Sequence, residues 1–220
     1  MKKKTDIKDF WNNKIIKWEN SRYFKNDGNF FEKFISHFSN SLFERQKVCL
    51  ELLSRIVKNR SVIEIGCGSG ILCKKVLSLG ASSYYGIDFA ENAINRAKEL
   101  NSNEIQTNKA RFETLSVSEI DKIIEEVIFS CGLIDWISQD ELYRLSNFSK
   151  NKYFIHSYSK EDNSFYQYLH KKYVYLAYKK KTNFHPKYYS REKITKMFKR
   201  VNFYKNYKLS FGEFFFNFDI

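Results

Sequence analysis

The sequence predicts an α/β fold, a mostly parallel sheet with a helical N-terminal cap and a C-terminal antiparallel hairpin. Three observations predict it. Val62-Ile63-Glu64-Ile65 reads as a short buried strand, runs into Gly66-Cys67-Gly68-Ser69-Gly70, and gives way to an apolar helix from Ile71. Strand-like and helix-like stretches then alternate as far as His156, the rhythm of a parallel sheet covered on both faces. The tail alternates apolar residues in two runs, Phe203/Tyr207/Leu209/Phe211 and Phe214/Phe216/Phe218/Ile220, with Gly212-Glu213 between them as the turn of a hairpin.

Each element has its own signal. Residues 1–40 are basic and aromatic with irregular spacing, which predicts short helices. Ser41-Leu42-Phe43-Glu44 matches a helix capping box, and Cys49, Leu52, Leu53 and Ile56 follow on one helical face. After the glycines, Ile71, Leu72, Val76 and Leu79 form the next face, stopped by Gly80. Tyr84–Asp88 is the second strand, and Ala93, Ile94, Ala97 and Leu100 mark the helix behind it. Residues 101–109 read as a polar loop, Arg111–Leu115 as the third strand, and Ser118–Ile124 as a helical turn. Val127–Ser130 is the fourth strand. Ser138-Gln139-Asp140-Glu141 is a second capping box, with Leu142 and Leu145 behind it, and Tyr153–His156 is the fifth strand. Residues 160–189 break the rhythm with many Tyr and Lys. They read as an insertion over the carboxyl edge of the sheet, in which Phe165, Leu169, Tyr173 and Leu176 share a helix face. Ile194, Met197, Phe198 and Val201 define the last helix.

Composition bounds the function. A chain of 220 residues with 43% hydrophobic and 18% aromatic residues can build a real core, and with one Pro and 8 Gly it has little linker character. The formal charge of +13 admits two readings: scattered solvated lysines, or a basic face for an anionic partner. Cys49, Cys67, Cys73 and Cys131 form no C-x-x-C pair and have no histidine cluster beside them, so no metal site is expected. No stretch has the length and apolarity of a membrane span or the pattern of a secretory signal, which predicts a reducing cytoplasmic setting.

The glycine spacing carries the chemistry. A dinucleotide fingerprint would need its third glycine at position 71, where this chain has Ile. An acidic residue followed by G-x-G-x-G, from Glu64 to Gly70, resembles motif I of the class I S-adenosylmethionine-dependent methyltransferases. Asp88 follows Gly68 at the interval of about 20 residues usual for a ribose-binding acid. The resemblance implies the Rossmann-like class I methyltransferase fold, seven strands in the order 3-2-1-4-5-7-6 with the seventh antiparallel. It also implies one methyltransferase domain over residues 1–220: an N-terminal lid (1–40), a cofactor-binding core (41–159), a substrate-cap insertion (160–189) and a last helix with hairpin (190–220).

It further implies S-adenosylmethionine as cofactor, S-adenosylhomocysteine as product, and roles for particular residues. Asp88 would accept the ribose hydroxyls. Glu64 would hold the ammonium, and the backbone of Gly66, Cys67, Gly68 and Gly70 would let the methionyl tail approach. Phe89 stands where it can stack on adenine or serve as a core aromatic. The loop after the third strand lacks the acid often found there, which leaves Ser116 or a backbone N–H for the adenine. Ser130 and Cys131 resemble residues that line the cofactor near its methyl group. His156, at the end of strand five, and Asp135 are the candidate bases, with His185 a further one. Tyr23, Trp136, Tyr158 and Tyr188, with Arg45, are candidates on the acceptor side, whereas Trp11 and Trp18 read as packing.

These features predict a methyltransferase acting on oxygen or nitrogen of a small molecule or sugar-linked metabolite. The alternatives are an RNA methyltransferase, with the basic aromatic segments tracking a nucleic-acid backbone, and a non-catalytic cofactor-binding scaffold. Oligomeric state is not readable from the chain.

Overall fold

A computed structural model describes residues 8–13, 43–162, 164–174, 186–205 and 212–219. A seven-stranded sheet runs in the order β3-β2-β1-β4-β5-β7-β6. The strands are β1 (Ser61–Ile65), β2 (Ser83–Asp88), β3 (Ala110–Thr114), β4 (Val127–Ser130), β5 (Tyr153–Ser159), β6 (Asn202–Tyr204) and β7 (Gly212–Phe216). The first five pair in parallel, and β7 runs antiparallel to both β5 and β6.

The helices among the described residues are α1 (8–13), α2 (43–54), α3 (Cys73–Ser78), α4 (Glu91–Leu100), α5 (Ser102–Gln106), α6 (Gln139–Phe148), α7 (Phe165–Val174) and α8 (Arg191–Met197). The two faces of the sheet bury separate apolar layers. Val62, Tyr84, Val127, Phe129, Ile155, Phe214 and Phe216 meet α2, α3 and α4 through Leu53, Val76 and Ala97. Ile63, Ile65, Ile128, Phe154, Tyr158 and Phe215 meet α6 and α8 through Leu142, Leu145, Ile194 and Phe198. Neighbouring residues of one strand thus enter opposite layers, as the period of two requires. Glu64 falls on the α2 side with Val62, and this places its carboxylate against Tyr84, whose hydroxyl donates to it.

Ser138 caps α6 in the expected capping box, its side chain accepting from the Glu141 N–H while Glu141 accepts from the Ser138 N–H. The residues expected to cap α2, Ser41 and Leu42, lie outside the described residues, as do most of the 1–40 segment, Tyr207, Leu209, Phe211 and Ile220. Four expectations change. Residues 101–109 contain the short helix α5 instead of a loop only. Gly212-Glu213 does not form the hairpin turn: both residues lie in β7, Gly212 opposite Ser159 and Glu213 opposite Tyr158. That pairing also extends β5 three residues beyond His156, because an antiparallel neighbour offers Ser157, Tyr158 and Ser159 backbone partners. In α7, Phe165 and Leu169 share a face as expected, but that face is open to solvent, at 70% and 42% exposure, while Gln167 is buried.

Glu213 is a carboxylate with no exposed surface, and three groups satisfy it. Arg191 donates from Nε at 3.0 Å and from Nη2 at 2.5 Å, and the Tyr158 hydroxyl donates as well. This fork ties the start of α8 to β5 and β7 through a buried charge that has its partner.

Gly70 is the position where the turn tolerates no other residue. Its φ is +67°, and a Cβ there would sit 2.7 Å from Phe112 Cε1 and 2.9 Å from Asn101 Nδ2. Gly70→Ala is expected to lower unfolding free energy by roughly 2–4 kcal/mol, from backbone strain and overpacking together. Urea denaturation checks this, and an unchanged midpoint would contradict the close packing described.

Candidate cofactor site

The site forms where β1 and β2 end side by side. The N–H groups of Gly66 and Cys67 both donate to the Ile87 carbonyl, at 2.8 and 3.0 Å, which stitches the glycine turn to the neighbouring strand. Gly66 and Gly68 adopt φ of +75° and +53°, a left-handed conformation natural to glycine. A Cβ on Gly66 would come within 3.0 Å of Leu133, so the missing side chain keeps the floor of the cavity open there.

Asp88 closes the turn. Its Oδ2 accepts the Gly68 N–H at 3.0 Å and its Oδ1 accepts the Ala90 N–H at 2.9 Å. Burial pushes its pKa up, against backbone N–H groups of Ala90, Gly68 and Phe89 that pull it down. The carboxylate is held rigidly by backbone donors, and each oxygen keeps a lone pair for a ligand.

A cavity of about 270 Å³ opens above these groups. Of the residues singled out in the sequence, Glu64, Gly66, Cys67, Gly68, Asp88, Phe89, Ser116, Cys131, Trp136 and Arg45 line it. Ser116 is already engaged: its hydroxyl and its N–H both contact the Glu119 carboxylate, at 2.7 and 2.8 Å, in the capping box of a single 3-10 turn over Val117–Glu119. Val117, the first residue of that turn, lines the cavity too. The Cys131 thiol is paired with Cys49. Their hydrogen bond raises the pKa of Cys49 and lowers that of Cys131, with Arg45 lowering Cys131 further.

Other candidates lie elsewhere. Gly70 does not line the cavity; it serves the packing of Phe112 and Asn101. Ser130 and His156 face the opposite layer, where Ser130 Oγ and His156 Nδ1 are 2.9 Å apart. His156 is wholly buried among Phe154, Phe198 and Phe215, and burial lowers its pKa to about 3. Its position near the strand end suggested the pocket; β5 continues three residues beyond it, and its ring packs into the core under α6 and α8 instead of lining the cavity, with Tyr158 on the same side and bound to Glu213. Asp135 is buried behind the cavity wall, accepting from the Ser159 N–H at 2.6 Å and the Ser159 hydroxyl at 2.7 Å. Burial raises its pKa, with Arg45 opposing. Tyr188 is not a lining residue; its ring lies under the Lys171 ammonium, 4.9 Å away. Tyr23 and His185 lie outside the described residues.

The cavity also has walls that the motif reading passed over. Trp11 of α1 meets Trp136 edge-on at 4.9 Å, and both line the cavity with Gln46, Leu133, Ile137 and Glu141. Glu141 was legible only as a helix cap, and Trp11 only as packing. Among the described residues there is no group of three or more His, Cys, Asp or Glu placed to hold a metal, and no helix long and apolar enough to cross a membrane.

The sheet order with β7 antiparallel, and a glycine turn clasped by the acid that ends β2, are those of the class I S-adenosylmethionine-dependent methyltransferases. Within that class, the model of the family described as ribosomal protein L11 methyltransferase (PrmA) matches residues 44–157, just over half of the chain, and the chain belongs to that family. It is 43% identical over 63 residues to the ribosomal protein L11 methyltransferase of Caldanaerobacter subterraneus, a stretch that makes up 28% of this chain and 20% of the relative. Against the Haemophilus influenzae protein of the same name it is 52% identical over 48 residues, 21% of this chain and 16% of the relative. The chain thus matches about a fifth or less of the length of these curated relatives.

Solved structures share the fold. Magnesium protoporphyrin IX methyltransferase from Synechocystis PCC 6803 with bound S-adenosylhomocysteine superposes with a TM-score of 0.70 at 16% identity, over 96% of each chain. The YcgJ protein from Bacillus subtilis gives 0.56 at 13% identity, over 74% of this chain and 70% of that one.

The burial of His156 has a measurable consequence. Its imidazole is neutral in the folded chain and charges on unfolding, so the unfolded state binds the extra proton between pH 6.5 and about 3. Stability contributed by this group is therefore intact above pH 6.5 and falls as the pH drops through that window, by roughly 3 kcal/mol between pH 6.5 and 4. Denaturation across this range should show a steeper loss of stability on acidification in the wild type than in His156→Gln. S-adenosylhomocysteine affinity should be the same in both proteins at pH 7.5; a loss in the variant would return His156 to the site.

Proposed function

We propose that this cavity binds S-adenosylmethionine through Asp88, Glu64 and the Gly66–Gly68 backbone, and that the chain transfers its methyl group to oxygen or nitrogen of a small molecule. The observation that carries the cofactor half is the doubly bonded Asp88 carboxylate over a turn whose glycines leave the backbone bare. Its oxygens are fixed by Gly68 and Ala90 and match the two hydroxyls of a ribose. Glu64, buried and braced by Tyr84, offers a carboxylate for the ammonium of the amino-acid tail. Phe89, Leu115 and Val117 supply an apolar slot with backbone groups for the adenine. When bound, the cofactor supplies an electrophilic methyl group on a cationic sulfonium.

The rest falls to the residues of the chain. Trp11, Trp136 and Ile137 form an apolar wall that excludes water and holds a flat or apolar acceptor against the open end, with Glu141 as the carboxylate of that wall. These residues would hold the acceptor's oxygen or nitrogen toward that methyl group, which would pass to it with S-adenosylhomocysteine as the product. The acceptor's proton passes to Glu141 or to solvent. Trp11 on Trp136 supports the reading of the N-terminal segment as a lid, and residues 160–189 as a substrate cap remain part of the same proposal. The four free cysteines fit a reducing, cytoplasmic setting.

Small molecules are favoured because Trp11 lies outside residues 44–157, the part shared with the family. A second reading, a protein acceptor, has the family's own description in its favour. Incubating the protein with methyl-labelled S-adenosylmethionine and a fractionated bacterial extract separates the two. Label is expected in the solvent-extractable small-molecule fraction and should fall at least tenfold with Trp136→Ala. Label in acid-precipitable protein would establish the second reading instead, and label in RNA would contradict both.

A further inference from the structure

Helix α7 buries a polar residue and exposes apolar ones, the reverse of a helix that packs on a core. Among its described side chains Gln167 has no exposed surface, whereas Phe165, Tyr168 and Leu169 are turned to solvent. Three hydrogen bonds fix the helix in that rotation. Gln167 Nε2 donates to the Lys160 carbonyl at 2.8 Å, its Oε1 accepts the Asp162 N–H at 2.7 Å, and its N–H donates to the Ser164 hydroxyl at 3.2 Å. Phe165, Tyr168 and Leu169, spaced i, i+3 and i+4, therefore make one outward strip, with the two rings stacked 6.4 Å apart. Lys171 and Lys172, both exposed, follow in the last turn. Between Asp162 and Glu192 the sequence carries six Lys, one Arg and no Asp or Glu, a charge of +7 in a chain whose net formal charge is +13. The basic balance is thus concentrated around this helix, beside an apolar strip that the fold leaves uncovered.

We propose that the Phe165–Tyr168–Leu169 face of α7 docks on an anionic lipid bilayer, with Lys171 and Lys172 against the headgroup phosphates. Apolar side chains on one strip and lysines beside them are what a helix lying in a membrane interface requires. The helix rests on the surface and does not cross it; no helix among the described residues is long and apolar enough to span. A nucleic acid fits the strip less well. Base stacking needs bare ring faces, but the Lys172 ammonium stands 4.6 Å over the Tyr168 ring, and Leu169 has no ring to offer. A second copy of the chain also fits less well, because a two-fold contact through α7 would set the lysines of one copy against those of the other. Docking through α7 does not depend on what the cavity binds.

Co-sedimentation of the full chain with lipid vesicles tests it. Wild type is expected to pellet with vesicles of equal parts phosphatidylglycerol and phosphatidylcholine, to stay in solution with phosphatidylcholine alone, and to be released as salt rises. Replacing both Phe165→Ser and Leu169→Ser should weaken partitioning roughly tenfold or more. Replacing both Lys171→Gln and Lys172→Gln should weaken it by about fivefold for each charge removed. All four side chains are exposed, and circular dichroism verifies that each double variant keeps the fold. A wild type that ignores the anionic vesicles would overturn the proposal. So would a Phe165→Ser, Leu169→Ser variant that binds them as well as wild type does, since the attraction would then be of charge alone. Retention on poly(U) RNA without vesicle binding would give the surface to nucleic acid, and a dimer dissolved by the same apolar variant would give it to a second copy; either result overturns the proposal.

Discussion

The structure depends on one buried carboxylate holding two backbone N–H groups. Asp88 ends β2, and by accepting from Gly68 and Ala90 it fixes the turn after β1 and the start of α4 together. Two strands must therefore end at the same level, β1 at Ile65 and β2 at Asp88, in the register that pairs Ile65 with Ile87. The glycines are a consequence of that clasp. A chain that turns back under Asp88 passes through left-handed φ at Gly66, Gly68 and Gly70, and at Gly70 it also runs against Phe112. A ligand site at the carboxyl ends of parallel strands follows from this geometry.

The remaining elements support that level from both sides. On one face α2 brings Arg45 and Gln46 to the cavity while Cys49, Leu52 and Leu53 bury against the sheet. On the other, α6 is capped by Ser138, so that Trp136, Ile137 and Glu141 hang over the opening. The C-terminal strand β7 inserts between β5 and β6 with every residue buried, and the Arg191–Glu213–Tyr158 contacts lock α8 to it. Burial of this order is the main favourable term in holding such a sheet, and the charge pair at its edge sets register more than it adds stability.

Much of this was legible in the chain. β1, β2 and β4 are short runs of β-branched and aromatic residues bounded by glycine, serine or acid, so their ends, and with them Glu64, Gly68, Asp88 and Cys131, can be read directly. What depended on a partner distant in sequence was not. The length of β5 is set by β7, and without that pairing His156 looks like the last residue of its strand. Facing is a matter of parity, and parity buried Ser130, His156 and Tyr158 in the layer under α6 and α8, where none of the three lines the cavity. Arg45, named among the acceptor-side candidates, does line the cavity. It stands four residues before Cys49 on the apolar stripe of α2, where a charged residue calls for a reason. Trp11 fell within the stretch read as an N-terminal lid but was itself read as packing, since its place against Trp136 depends on how that segment folds back.

The central claim is that Asp88 and the glycine turn form a cofactor pocket. The measurement that tests it most directly is calorimetric titration of S-adenosylhomocysteine into the wild-type protein and into Asp88→Asn, with folding of both verified by circular dichroism. The account predicts micromolar binding to the wild type and a loss of at least tenfold in the variant, whose amide keeps the size of the group but not its charge. A folded wild type that binds nothing, or a variant that binds equally well, would contradict it.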